Sequence, residues 1–208
     1  SIFDLNIKIP NKKKISIKNI EIPLIGFHNI SNAAATFALT SHIGISTSLI
    51  KKSLKDFQGV ERRFNKVFDF NGVTFFDDYA HHPTEIKEVL NGVKKSFLNK
   101  KVISIFQPHR ISRLNDLSND FSKSFKNSDQ VLLCPVYKAG EKIKLKFKYE
   151  KFARDISKNS KALVIMVNQK QDLVNFFKNN LKGNEIVIGM GAGSISGWLK
   201  ELKNFLKQ

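Results

Sequence analysis

From residue 65 onward the chain predicts an α/β fold with a mostly parallel sheet flanked by helices, and three observations carry that prediction. Apolar runs at 66–70, 73–77, 101–106, 130–134, 162–167 and 185–189 have the length and composition of buried strands. Amphipathic stretches at 83–97, about 113–126, about 148–157, 170–181 and 194–206 separate all but the first two of them. Strand and helix in strict alternation is the pattern of parallel βαβ units. Asn71-Gly72 between the first two runs supplies the third observation, a tight hairpin turn that makes that pair antiparallel.

Ahead of this region the pattern differs. Ile2, Leu5, Ile7 and Ile9, then Ile15, Ile17, Ile20, Ile22 and Leu24, alternate as strands, and Pro10-Asn11-Lys12-Lys13 reads as the hairpin turn between them. An alanine-rich helix through residues 33–39 follows, ended by Gly44. Its small residues allow close packing, and His28 and Asn32, four apart, share a face. Ser46 to Phe57 reads as a short amphipathic helix with Ser46 at the N-cap. Gly59-Val60-Glu61-Arg62-Arg63-Phe64 reads as a linker, dividing the chain into domains 1–60 and 61–208.

With 208 residues, 41% of them hydrophobic, the chain can bury a core, which excludes a disordered segment. No apolar run has the length of a membrane span and no signal-peptide pattern opens the sequence, so neither membrane nor export is expected. The chain starts Ser1-Ile2-Phe3-Asp4 in a strand-like pattern without Met, and the expectation is the interior of a longer protein. Cys134 has no partner cysteine and sits in an apolar run, the mark of a buried thiol in a reducing, cytoplasmic compartment. The net charge of +17, from 35 Lys+Arg against 18 Asp+Glu, raises nucleic acid as a partner. Yet the lysines are spread over polar positions, with no arginine-rich arm or zinc motif. A solvated surface favouring small polyanions such as nucleotides is the reading adopted, with no nucleic acid expected.

Chemistry concentrates in loops that follow strands, where open α/β sheets place ligands. Asp77-Asp78-Tyr79-Ala80-His81-His82 lies between an apolar strand and a helix opened by Pro83, with Glu85 in its first turn. Asp77 and Asp78 are neighbours on an extended chain and face opposite sides, so one meets the ligand side while the other braces the loop. The cluster raises a metal site, but its spacing is poor for zinc and no metal ligand is assigned. Gln107-Pro108-His109-Arg110-Ile111-Ser112-Arg113 follows the next strand. Arg110 and Arg113, three apart, point the same way on a helical turn and suit a carboxylate or phosphate. In Val136-Tyr137-Lys138-Ala139-Gly140-Glu141, Glu141 is either a chemical group or a solvated carboxylate. Gly189-Met190-Gly191-Ala192-Gly193-Ser194 fits a tight strand-to-helix turn better than a phosphate cradle.

Taken in order, Gly26-Phe27-His28-Asn29-Ile30-Ser31-Asn32-Ala33, Gly59-Val60-Glu61-Arg62-Arg63-Phe64 and Asp77 to Glu85 resemble the Mur ligases of peptidoglycan synthesis. The Gln107–Arg113 and Val136–Glu141 motifs narrow the resemblance to the branch that joins L-alanine to UDP-N-acetylmuramate. The resemblance implies a Rossmann-like C-terminal domain behind the tail of a central ATPase domain. It also implies an ATP- and Mg2+-dependent reaction through an acyl phosphate. By the same resemblance His28, Asn29 and Asn32 stand on the adenine side, Arg63 near the nucleotide phosphates and Asp78 near the ribose. Tyr79, His81 and His82 match the loop facing the muramate carboxylate and the amino acid, and His109, Arg110 and Arg113 the amino-acid clamp. His82, Arg110 and Arg113 are the catalytic candidates.

The family pattern is departed from at Ile111-Ser112, Leu114 and Ser194. No Gly-x-x-Gly-Lys-Thr/Ser phosphate loop occurs in the 208 residues. That loop and most of the metal ligands are expected in N-terminal and central parts of the same protein preceding Ser1, so the chain alone is expected to be inactive. Two alternatives stay open. One is the related recycling ligase that attaches an intact peptide, from which the Gln-Pro-His-Arg-x-x-Arg pattern would be missing. The other is a non-catalytic nucleotide- or nucleic-acid-binding module.

Overall fold

A computed structural model describes residues 1–8, 14–142 and 147–207. The chain forms two compact units, Ser1–Val60 and Glu61–Gln208.

In the first unit β1 (Ile2–Ile7) and β2 (Ile15–Glu21) pair antiparallel. The Pro10–Lys13 turn lies outside the described residues. Register slips between Phe3 and Leu5, where Asp4 accepts hydrogen bonds from the Asn19 backbone and Lys18 Nζ. Ile17, Ile20 and Ile22 meet Ala33 and Phe37 of α1 (Phe27–His42) and Ile50 and Leu54 of α2 (Thr47–Asp56) in one core. Spacings of four between the buried residues of each helix put them on one stripe. Ser46 holds the N-cap position of α2, but its hydroxyl makes no capping bond and meets Ser48 Oγ at 3.3 Å instead, a correction to its expected role.

The second unit is a six-stranded sheet in the order β3-β4-β8-β5-β6-β7. Its strands are β3 (Asn65–Phe70), β4 (Val73–Asp78), β5 (Lys101–Phe106), β6 (Gln130–Leu133), β7 (Leu163–Met166) and β8 (Glu185–Met190). Only β3 runs antiparallel, joined to β4 by Asn71 and Gly72, both with positive φ. Every other neighbouring pair is parallel. Asp78 and Phe106 both pair with Met190, and Phe106 pairs with Leu133. The loops after β4, β8, β5 and β6 therefore leave from one end of the sheet.

Alternate residues of the strands face opposite layers. Phe76, Val102, Phe106, Val131, Leu133, Ile186 and Ile188 pack with α3 (Pro83–Ser96), α4 (Ile111–Asp116), α5 (Ser118–Ser122) and α6 (Tyr149–Ser160). Phe75, Ile103, Ile105, Leu132 and Val187 pack with α7 (Lys170–Asn180) and α8 (Ile195–Lys207). Burial on both faces explains why these strands read as continuous apolar runs. The helix expected at 113–126 is two short ones broken at Leu117. Ser122 and Ser124 hydroxyls bond the carbonyls of Asn119 and Asp120, the local competition that weakens Ser and Asp in helix interiors. Nor are residues 61–64 a free linker, because Phe64 stacks on Phe76 at 4.2 Å and its N–H donates to Asp78.

Candidate active site

The loop after β4 is held by its own carboxylates. Asp78 Oδ1 accepts from Ala80 N at 2.7 Å and Oδ2 from Phe64 N at 2.9 Å. Burial nonetheless pushes its carboxyl up to about 6, outweighing those two bonds and nearby Arg63. Asp77 turns to the other side, where Ser196 Oγ donates to it and Arg62 Nε lies 3.5 Å away. Neither carboxylate is presented to the loop's mouth, and Asp78, matched to the ribose by resemblance, stands here as a buried brace.

The two histidines beyond them differ in the use of Nδ1. His81 Nδ1 lies 3.0 Å from Tyr79 O and 3.2 Å from Glu85 Oε2, both acceptors, so this nitrogen carries a proton. His82 caps α3 and its Nδ1 accepts from Thr84 N at 3.4 Å, which leaves Nε2–H as its donor. Glu85 closes the capping box by accepting from the N–H groups of His81 and His82.

The loop after β5 is tied to the loop after β6. Arg110 N donates to Tyr137 O, Tyr137 N donates to Pro108 O, and the His109 ring stacks on Tyr137 at 5.6 Å. Glu141 takes the N–H groups of Ile111 and Ser112 and the Ser112 hydroxyl. It is therefore the N-terminal cap of α4. The Ser112 hydroxyl first, then those backbone bonds and Arg110, hold its carboxyl below its ordinary range. Arg113 Nη1 sits 3.5 Å from His109 Nδ1, and Arg110 is exposed with φ 69° at the start of α4. Burial first, then neighbouring Arg113, His81 and Arg110, pull the His109 pKa below its ordinary value, which disfavours the protonated ring.

The glycine turn after β8 is a packing element. A Cβ on Gly191 would lie 2.6 Å from Gln107 O, and one on Gly193 2.5 Å from Tyr137 Cγ. Gln107 Oε1 accepts from Ile195 N at 3.0 Å and its Nε2 donates to Ser194 Oγ, capping α8 from another loop.

Tyr79, His81, His109 and Tyr137 thus form a row of rings across the ends of β4, β5 and β6, with successive centroids 5.1, 5.7 and 5.6 Å apart. Arg113 flanks the row, and the exposed Arg110 and His82 lie in the same loops. Arg63 is exposed beside them in sequence order, with its N–H on Asn65 Oδ1. In the first unit Asn29 is buried with its amide on Ile25 O, Asn32 is exposed and His28 is half-buried. Arg62, which no motif singled out beside Arg63, proves the better-connected of the two. Its only signal in the sequence is its place in Glu-Arg-Arg-Phe.

Residues 62–193 match the family described as Mur ligase, glutamate ligase domain. The chain belongs to the Mur ligase family. Over 99% of its length it is 56% identical to UDP-N-acetylmuramate–L-alanine ligase of Pelagibacter ubique, and it spans 44% of that relative. UDP-N-acetylmuramate–alanine ligase of Thermotoga maritima, 27% identical, superposes with a TM-score of 0.70 over 94% of this chain and 40% of its own. The murein peptide ligase of Psychrobacter arcticus, 22% identical, shares the fold with a TM-score of 0.72 over 98% of this chain and 42% of its own. For this Mur ligase chain the row of rings and arginines lies wholly within the family-matched region.

Proposed function

We propose that the protein to which this chain belongs joins L-alanine to UDP-N-acetylmuramate at the expense of ATP, a cytoplasmic step of peptidoglycan synthesis. The observation that carries the reading is the contact of Arg113 with His109 beside His81 and Tyr79, in loops that leave from one end of the sheet on either side of β8. The 56% identity to a relative bearing that activity supports it.

The γ-phosphoryl of ATP passes to the muramate carboxylate, giving an acyl phosphate and ADP. The alanine amine attacks the acyl carbon, the C–O bond to phosphate breaks, and the amine's proton leaves with the products. Arg110 and Arg113 hold the alanine carboxylate, which keeps its amine free. His82 and His109, each with Nδ1 used as an acceptor, offer Nε2–H to the oxyanion. His81, with Nδ1–H given to Tyr79 O and Glu85, offers Nε2 to the amine proton. Arg63, His28, Asn29, Asn32 and Asp78 are assigned to the nucleotide side. The exposed Arg63 guanidinium and Asn32 amide have the chemistry a polyphosphate and a base edge require, whereas Asn29 and Asp78 contribute by bracing. Among the described residues no group of three His, Cys, Asp or Glu side chains is placed to hold a metal. Mg2+ bound with ATP would neutralise phosphate charge, and its ligands are assigned to the part of the family's length this chain does not span. The 208 residues alone, without a Gly-x-x-Gly-Lys-Thr/Ser loop, catalyse nothing in this reading.

In the full-length protein Arg110→Ala is expected to abolish alanine-dependent phosphate release while ATP still binds. Unchanged alanine kinetics would remove Arg110 from the clamp.

A further inference from the structure

We propose that Arg62 is a positioning residue that fixes Tyr79 at the mouth of the site, a role that rests on the ligase reading above. Its guanidinium is engaged on three sides. Nη2 donates to Gly191 O in the glycine turn, Nε lies 3.5 Å from Asp77 Oδ2, and Cζ lies 4.8 Å over the Tyr79 ring. Its carbonyl accepts from Tyr79 N at 2.7 Å. Arg62 thus holds both the backbone and the face of the one tyrosine in the substrate-facing loop.

These contacts close a circuit. Tyr79 meets His81, His81 meets His109, and His109 stacks on Tyr137. Tyr137 packs against Gly193, whose turn returns through Gly191 to Arg62. Without Arg62 the chain of rings has one free end, at Tyr79, which is 38% exposed and among the described residues meets no ring but that of His81. The backbone at Arg62 has φ 60°, a conformation that L-residues adopt only where surrounding contacts hold it. A lysine cannot replace this set, because one ammonium cannot face a carboxylate, a carbonyl and a ring in three directions at once.

Two measurements test the proposal. In the 208-residue chain, Arg62→Lys and Arg62→Gln should move the NMR signals of Tyr79, His81 and Gly191–Gly193. They should speed amide exchange at Tyr79 at least about tenfold, while Ile111 and Ser112, capped by Glu141, stay fixed. In the full-length enzyme Arg62→Gln should lower kcat about tenfold with the ATP KM unchanged, and add nothing once Tyr79→Ala is present. Unchanged exchange at Tyr79, or losses that simply add in the double variant, would reduce Arg62 to an ordinary structural arginine. Absence of alanine-dependent turnover in the unmodified enzyme would instead sink the ligase reading, and Tyr79 exchange would still decide the positioning role.

Discussion

Burial first, then neighbouring Arg113, His81 and Arg110, disfavour the proton on His109 and hold its pKa below the ordinary value. Arg113→Ala removes the charge that Nδ1 faces at 3.5 Å, so the His109 pKa should rise in an NMR titration. A pKa that stays put would mean the two side chains do not interact in solution. Asp78 moves the other way. Its folded pKa of about 6 exceeds the ordinary value of 3.8, so the folded chain binds more protons than the unfolded chain between those values. Its contribution is full below pH 3.8 and is lost as pH rises through about 6, a change on the order of 3 kcal/mol. Asp78→Asn should remove that component from a plot of unfolding free energy against pH. The substitution also turns an amide donor toward one of two backbone N–H groups, which costs about 1–3 kcal/mol at low pH. At this scale the sequence is only partly readable. That Asp77 and Asp78 face opposite ways follows from strand geometry, but which backbone N–H each carboxylate, Glu141 or Gln107 would serve leaves no trace in residue spacing.

Loops here are fastened to helices that start elsewhere. Gln107, after β5, caps α8, and Glu141, after β6, caps α4. Gln107→Ala should cost about 2 kcal/mol in a urea titration, from the lost cap and a buried amide left unmatched. A loss below about 0.5 kcal/mol would show that the α8 start is held by the apolar contacts of Ile195 alone. Strand and helix positions are legible in the sequence because Phe75, Ile103, Ile105 and Val187, buried in apolar runs, and Ile86, Val89, Leu90 and Val93, at helical spacing, obey simple periodicities. The break at Leu117 is not, since no glycine or proline marks it within 111–122. The cap expected of Ser46 fails, with a neighbouring serine hydroxyl taking the bond.

Across the second unit the sheet order brings β4 and β5 to either side of β8, although three strands intervene between β4 and β8 in the chain. The loops after β4, β5 and β6 leave from the same end of the sheet, and their rings meet across the end of β8. The parallel α/β class is readable from alternation, whereas the order of strands is a long-range choice that no local pattern encodes. Burial pushes the Cys134 thiol far up, and Tyr149 OH bonds its carbonyl, so the lone cysteine is a packing residue with no share in the chemistry. What the fold gathers at this end of the sheet is a set of arginine and imidazole groups. The most direct measurement is phosphate release by the full-length protein given ATP and UDP-N-acetylmuramate, with L-alanine and a muramyl-type tripeptide in competition. Preferential incorporation of alanine, lost in Arg110→Ala, is the predicted result. Preferential incorporation of the tripeptide, or turnover indifferent to both, would contradict the assignment of Arg110 and Arg113 to an alanine carboxylate.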